Sequence, residues 1–139
     1  MSADVSKLLK KIEADDVKFI RLQFTDVLGM PKNAAVPVAQ AEKSLTEGPW
    51  FDGSSIEGFT RIEESDMLLK ADPASYAVLP WRPQDGKVAR FVCDVYTYGN
   101  KPFEGDPRYA LKKNMADAAK MGYIFNTGPE LEFFLFNRV

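Results

Sequence analysis

The segment Gly128-Pro129-Glu130-Leu131-Glu132-Phe133-Phe134-Leu135-Phe136 places two carboxylates two residues apart in an otherwise apolar run. Alternate side chains of an extended strand share a face, so Glu130 and Glu132 would project together with Cα atoms about 6.6 Å apart. Phe134 and Phe136 continue that face and set the acids beside apolar surface, where like charges repel and are poorly solvated. Divalent cations would offset both effects, each glutamate serving one of two neighbouring ions completed by ligands from elsewhere. The same spacing also describes an edge strand with an exposed acidic face.

A second cluster lies in Trp50-Phe51-Asp52-Gly53-Ser54-Ser55, followed by Arg61-Ile62-Glu63-Glu64-Ser65-Asp66-Met67. Gly53 can take positive φ and let its neighbours present side chains and N–H groups outward. Trp50, Ile56 and Phe59 are placed to pin such a loop. An ordered carboxylate on it, Asp52, suits a small cation, although Asp-Gly also marks an ordinary solvated turn. Arg21 and Arg90 sit in strand-like, otherwise apolar runs. Paired, they could hold a dicarboxylate through bidentate contacts; singly, each reads first as a surface or interface ion pair.

Composition narrows the chemistry. The 139 residues include no histidine and one cysteine, Cys93. A Ser-His-Asp triad, a Cys-His pair, His-ligated zinc and an internal disulfide are excluded within this chain. Carboxylates, hydroxyls, arginines and backbone remain, a donor set that suits magnesium or manganese. A net charge of −2 with 45% hydrophobic residues describes an ordinary globular chain and gives no basic stripe for nucleic acid. No apolar run reaches the roughly 20 residues of a membrane span, and the first residues lack a secretory layout. A lone cysteine fits a reducing cytoplasm.

The elements that would position these groups follow from periodicity. Val5, Leu8, Leu9 and Ile12 predict a short amphipathic helix. Val17 to Thr25 predicts a strand with Ile20, Leu22 and Phe24 on one face. Asp26 to Gly29 predicts a hairpin turn, Lys32 to Val36 the returning strand, and Pro37 to Thr46 a helix ended by Gly48. Gly48 to Asp66 reads as a long irregular loop, and long ordered loops are usually functional. Tyr76–Trp81 and Lys87–Tyr96 predict two further strands. Asp106 and Pro107 read as cap and first residue of a helix bearing Leu111, Met115, Ala118 and Gly122 on one face. Glu130 to Phe136 predicts a last strand, too greasy to stand without sheet neighbours. The division expected is a helix over 1–15, an α+β domain over 16–100, and over 107–139 the opening of a larger domain cut short.

Taken in order, Phe51 to Phe59, Glu64 to Met67, Lys87 to Phe91, Gly105 to Arg108 and Gly128 to Phe136 resemble the signature segments of glutamine synthetases. The likeness runs from Val17 to Phe136, and Gly58 to Asp66 is most similar to the type I-alpha branch of bacteria and archaea. The resemblance implies a β-grasp N-terminal domain followed by the first helix and strand of the catalytic domain. It implies ATP-dependent ligation of ammonium to L-glutamate through an acyl phosphate, in a dodecamer of two hexameric rings with active sites between subunits. By motif match, Glu130 and Glu132 would each ligate one of two Mg or Mn ions. Asp52 would attract ammonium and take its proton, Ser55 would help position its loop, and Asp66 is a further candidate there. Arg61 falls where type I-alpha members sense glutamine, and Arg21 with Arg90 would suit an effector such as 2-oxoglutarate. A PII-type regulator is a further partner that the family admits, carried by no residue here. Most nucleotide contacts would lie beyond Val139, so the chain alone is expected to be inactive. Two other readings share these residues: a ligase joining glutamate to a different amine, and a stand-alone β-grasp binding module.

Overall fold

A computed structural model describes residues 3–59, 65–81 and 86–137. Helix α1 spans Ala3–Ala14, and strands β1 (Val17–Thr25) and β2 (Pro31–Pro37) follow as a hairpin. Helix α2 (Ala41–Thr46) leads to β3 (Trp50–Asp52), β4 (Asp66–Ala71), β5 (Ala77–Val78) and β6 (Lys87–Thr97), and helix α3 spans Pro107–Lys120. The strands form one six-stranded sheet in the order β2-β1-β6-β4-β3, with β5 also on β6. β1 and β6 run parallel, with Leu22 opposite Phe91, and every other pairing is antiparallel.

Period-2 burial makes β1 and β6 the centre. Ile20, Leu22 and Phe24 of β1 and Ala89, Phe91, Cys93 and Val95 of β6 are buried on one face, where Ile12 of α1 and Ala41 of α2 join them. Burying a side chain such as Phe91 or Leu22 contributes on the order of 2 kcal/mol each, so this face supplies most of the driving force. The hairpin turn is organised by Asp26, whose buried carboxylate accepts from the amides of Leu28 and Met30, both at 2.9 Å. Gly29 closes that turn at φ +83°.

Several expected elements take different bounds. The helix expected from Pro37 begins later: Pro37 ends β2, Val38–Gln40 make a 3-10 turn, and α2 starts at Ala41. Its end is as expected, with Gly48 at φ +81°. The loop expected over Gly48 to Asp66 contains β3, which pairs with β4 through Trp50–Leu68, Phe51–Met67 and Asp52–Asp66. β4 shows no alternation because Met67, Leu68 and Leu69 are all buried, so both its faces are covered. The strand expected over Tyr76–Trp81 shrinks to Ala77–Val78. A 3-10 turn at Pro73–Ser75 precedes it, and the Ser75 hydroxyl accepts from the Val92 amide at 2.7 Å. A side chain thereby replaces the backbone partner that a longer β5 would supply.

The expected strand over Glu130 to Phe136 does not form. Residues 130–137 are exposed and pair with no strand among the described residues, although β2 and β3 each keep an open edge. α3 forms as expected, capped by the Asp106 carboxylate accepting from the Arg108 amide at 2.9 Å, with Pro107 in its first turn. Its apolar stripe is bare: Leu111 and Met115 are exposed. α3 is held instead by charge. Arg108 bridges Asp72 and Asp94, Lys112 pairs with Asp94, and the fully buried Asp106 accepts from the Val95 amide of β6 at 3.0 Å.

Candidate functional site

β3 is three residues long, and its last residue is Asp52. Pairing with β4 sets Asp52 directly across from Asp66, the first residue of that strand, with both side chains exposed. Beyond Asp52 the chain turns at once. The Asp52 carboxylate accepts from the Ser54 amide at 2.9 Å, the Ser54 hydroxyl at 2.7 Å and the Ser55 hydroxyl at 3.0 Å. These donors, the Ser54 hydroxyl foremost, then the Ser54 amide and the Ser55 hydroxyl, outweigh the opposing effect of partial desolvation. With a smaller contribution from the Ser65 hydroxyl, they hold Asp52 below the ordinary carboxylate range.

The turn is fixed from below. Gly53 is buried, and a Cβ there would meet the Met67 sulfur at 2.6 Å and the Ser65 carbonyl oxygen at 3.0 Å. Close approach, not positive φ, is what requires glycine at 53: the left-handed glycine of this loop is Gly58, at φ +79° against Val27. Aromatic contacts anchor the remainder. Phe24 packs on Phe51 with centroids 4.8 Å apart and on Phe59 at 6.0 Å, and Phe59 reaches Phe103 at 5.1 Å. Ile56 also packs against the core. Trp50 instead turns outward to Tyr98.

Between this loop and β2 opens a cleft of ≈ 480 Å³ lined by Asp52, Ser55, Phe51 and Ile56 on one side and Lys32, Asn33 and Ala34 on the other. Lys32 also lies 3.4 Å from the buried Asp26. An anion, hydroxyls and a lysine at an open cleft can bind a small cation at one wall and meet an anionic group at the other. Lys32 and Asn33 carry no motif of their own, and only the hairpin register places them here. Ser54 was legible in outline, since a hydroxyl two residues after an aspartate is a recurring turn partner.

The other expected residues lie elsewhere. Arg21 and Arg90 are cross-strand partners on β1 and β6, half-buried on the sheet face opposite the core, with no ion pair among the described residues. Arg61 lies outside the described residues. Glu130 and Glu132 are exposed, and no group of three or more carboxylate, cysteine or histidine side chains converges among the described residues. Their chemistry suits a hard divalent cation, but two carboxylates do not make a complete site, and no third ligand joins them among the described residues. Among the described residues no helix is long and apolar enough to cross a membrane.

Residues 16–98 match the family model for the glutamine synthetase beta-Grasp domain, and 104–139 match that for the glutamine synthetase catalytic domain. The chain belongs to the glutamine synthetase family. Its mixed sheet and helices are accordingly the β-grasp fold. A glutamine synthetase of Methanosarcina mazei is 57% identical over 93% of this chain, and one of Thermus thermophilus is 53% identical over 96%. The chain spans 29% and 31% of those relatives, respectively. Among solved structures, GmaS in complex with ADP superposes with a TM-score of 0.75 at 31% identity, covering 82% of this chain and 26% of that one. The Plasmodium falciparum glutamine synthetase gives 0.74 at 25% identity, over 88% of this chain and 23% of that one.

Proposed function

We propose that this chain is the N-terminal portion of a type I-alpha enzyme that joins ammonia to the side-chain carboxylate of L-glutamate. ATP transfers its γ-phosphoryl group to that carboxylate, giving γ-glutamyl phosphate and ADP. Ammonia attacks the acyl carbon, phosphate leaves, and L-glutamine results. The observation that carries the reading is Asp52: an exposed carboxylate, oriented and held below the ordinary carboxylate range by serine donors, at an open cleft in a chain of this family. Its charge attracts ammonium, and accepting a proton exposes the nucleophilic lone pair. Asp66, opposite Asp52 on the paired strand, adds negative charge at the same place. The Ser55 hydroxyl supports the loop.

In this reading the protein is a cytoplasmic dodecamer of two hexameric rings, and the Asp52 loop completes a neighbouring subunit's site. Glu130 and Glu132 would each supply a ligand to one of two divalent cations, Mg or Mn, which when bound neutralise charge during phosphoryl transfer. The bare stripe of α3 and the exposed Leu131 and Phe133 to Phe136 suit a segment built to be covered by further structure. Effector binding is part of the same reading: the Arg21–Arg90 pair for a dicarboxylate such as 2-oxoglutarate, and Arg61 for glutamine.

The test uses a full-length glutamine synthetase carrying this segment. Asp52→Asn lowers kcat/KM for ammonium by about 10²-fold or more, with KM for ATP little changed. Unchanged ammonium kinetics would refute the role. The chain of 139 residues, assayed alone, forms no glutamine, and turnover above background would overturn that part.

A further inference from the structure

The resemblance points to Ser55 as the serine that supports the Asp52 loop, yet the geometry gives its neighbour the stronger hold. We propose that Ser54 is the positioning residue of the ammonium site, its hydroxyl and amide fixing the Asp52 carboxylate without lining the cleft. The proposal rests on the reading of Asp52 as the group that meets ammonium.

Three observations carry it. Ser54 makes two contacts to one oxygen, Oδ1 of Asp52, through its amide at 2.9 Å and its hydroxyl at 2.7 Å, whereas Ser55 makes one, to Oδ2, at 3.0 Å. Two charge-assisted donors hold Oδ1 more firmly than one holds Oδ2. Ser55 and Asp52 line the cleft and Ser54 does not, so Ser54 acts on Asp52 without meeting what enters. The backbone that carries Ser54 is itself immobilised, because Gly53 is seated against Met67 and the Ser65 carbonyl. The Ser54 hydroxyl is also the foremost influence holding Asp52 below the ordinary carboxylate range.

The experiment follows the Asp52 carboxyl carbon by NMR through an acid titration of the 139-residue chain. Ser54→Ala raises the Asp52 titration midpoint toward the ordinary carboxylate value, Ser54→Thr restores the wild-type midpoint because its hydroxyl is kept, and Ser55→Ala moves it less. Amide spectra confirm that each variant is folded. A Ser54→Ala midpoint identical to wild type, or a larger shift for Ser55→Ala, overturns the proposal. The underlying reading is tested separately in a full-length glutamine synthetase carrying this segment, where Ser54→Ala raises KM for ammonium about tenfold and Ser54→Thr recovers it. A shifted Asp52 midpoint with unchanged ammonium kinetics would leave Ser54 as the holder of Asp52 and remove Asp52 from ammonium binding.

Discussion

Asp52 and Asp66 stand directly opposite one another where β3 meets β4. The two are not equivalent. Asp52 has three donors on its oxygens from Ser54 and Ser55, and Asp66 has none of them. Like charges across a strand pair disfavour each other by a few tenths of a kcal/mol, so their retention side by side suits a surface meant to meet a cation. In a full-length glutamine synthetase carrying this segment, Asp66→Asn should lower kcat/KM for ammonium by about tenfold or less, against about 10²-fold for Asp52→Asn. Steady-state ammonium titrations at fixed ATP and glutamate compare them. An Asp66→Asn loss equal to or above that of Asp52→Asn would reverse the assignment.

Much of this arrangement was legible in the residue order, for identifiable reasons. β1 and the core face of β6 were readable because one of their faces is buried and the other is not, which gives Ile20, Leu22, Phe24 and Ala89, Phe91, Cys93, Val95 a period of two. β4 escaped the same test because Met67, Leu68 and Leu69 are buried together and erase the alternation. β3 escaped because three residues carry no period at all. The Asp52 turn announced itself through Asp-Gly-Ser-Ser, but its glycine is needed for a contact with Met67, information held in another strand. The strand expected at Glu130 failed for a different reason. Extended pairing is a property of two segments, and its partner is not among these strands.

Gly53→Ala tests how tightly the site loop is seated. The added Cβ would fall 2.6 Å from the Met67 sulfur, which can swing away, and 3.0 Å from the Ser65 carbonyl, which cannot without moving β4. The expected cost is about 1–3 kcal/mol, with the Asp52 carboxyl displaced from Ser54. Urea denaturation measures the first and the Asp52 titration the second. A variant as stable as wild type would show that the loop floats on β4.

The two buried aspartates should pull the pH dependence of stability in opposite directions. Burial raises Asp106, and the amides of Val95 and Arg108 only partly counter it. Its contribution is therefore fully present below the unfolded carboxylate value and is lost as pH rises through its raised folded value. Burial also pushes Asp26 upward, but the amides of Met30 and Leu28 and the Lys32 ammonium prevail and leave it lowered. Its contribution is present above the unfolded value and lost as pH falls through its depressed folded value. Urea midpoints from pH 3 to 7 should thus show a shallower acid-side fall for Asp26→Asn and a steeper one for Asp106→Asn. Asp106→Ala, which also strips the cap of α3 and an acceptor from Val95, should cost about 2–4 kcal/mol at pH 7.

Burial pushes the Cys93 thiol up to about 12, with the nearby Asp94 adding to the rise and Arg108 opposing it. A thiol so placed is almost wholly protonated at pH 8 and closed to reagents. Reaction with a disulfide reagent in the native chain should run roughly a thousandfold slower than in urea-unfolded chain. Comparable rates would mean that β6 opens readily.

Arg21 and Arg90 are the remaining test. They face each other across the parallel β1–β6 pair, half-buried, with no carboxylate partner among the described residues. Two guanidiniums so arranged repel, which costs about 0.2–1 kcal/mol, and that strain is relieved either by substitution or by an anion that spans both. Arg90→Gln should therefore raise the melting temperature of the chain slightly. A dicarboxylate such as 2-oxoglutarate should stabilise wild type by about RT ln(1 + [L]/Kd) and so raise its melting temperature, leaving Arg90→Gln unmoved. A monocarboxylate of similar size, at the same ionic strength, controls for general screening. Equal shifts for both acids, or an equal shift in the variant, would reduce the pair to an ordinary basic surface.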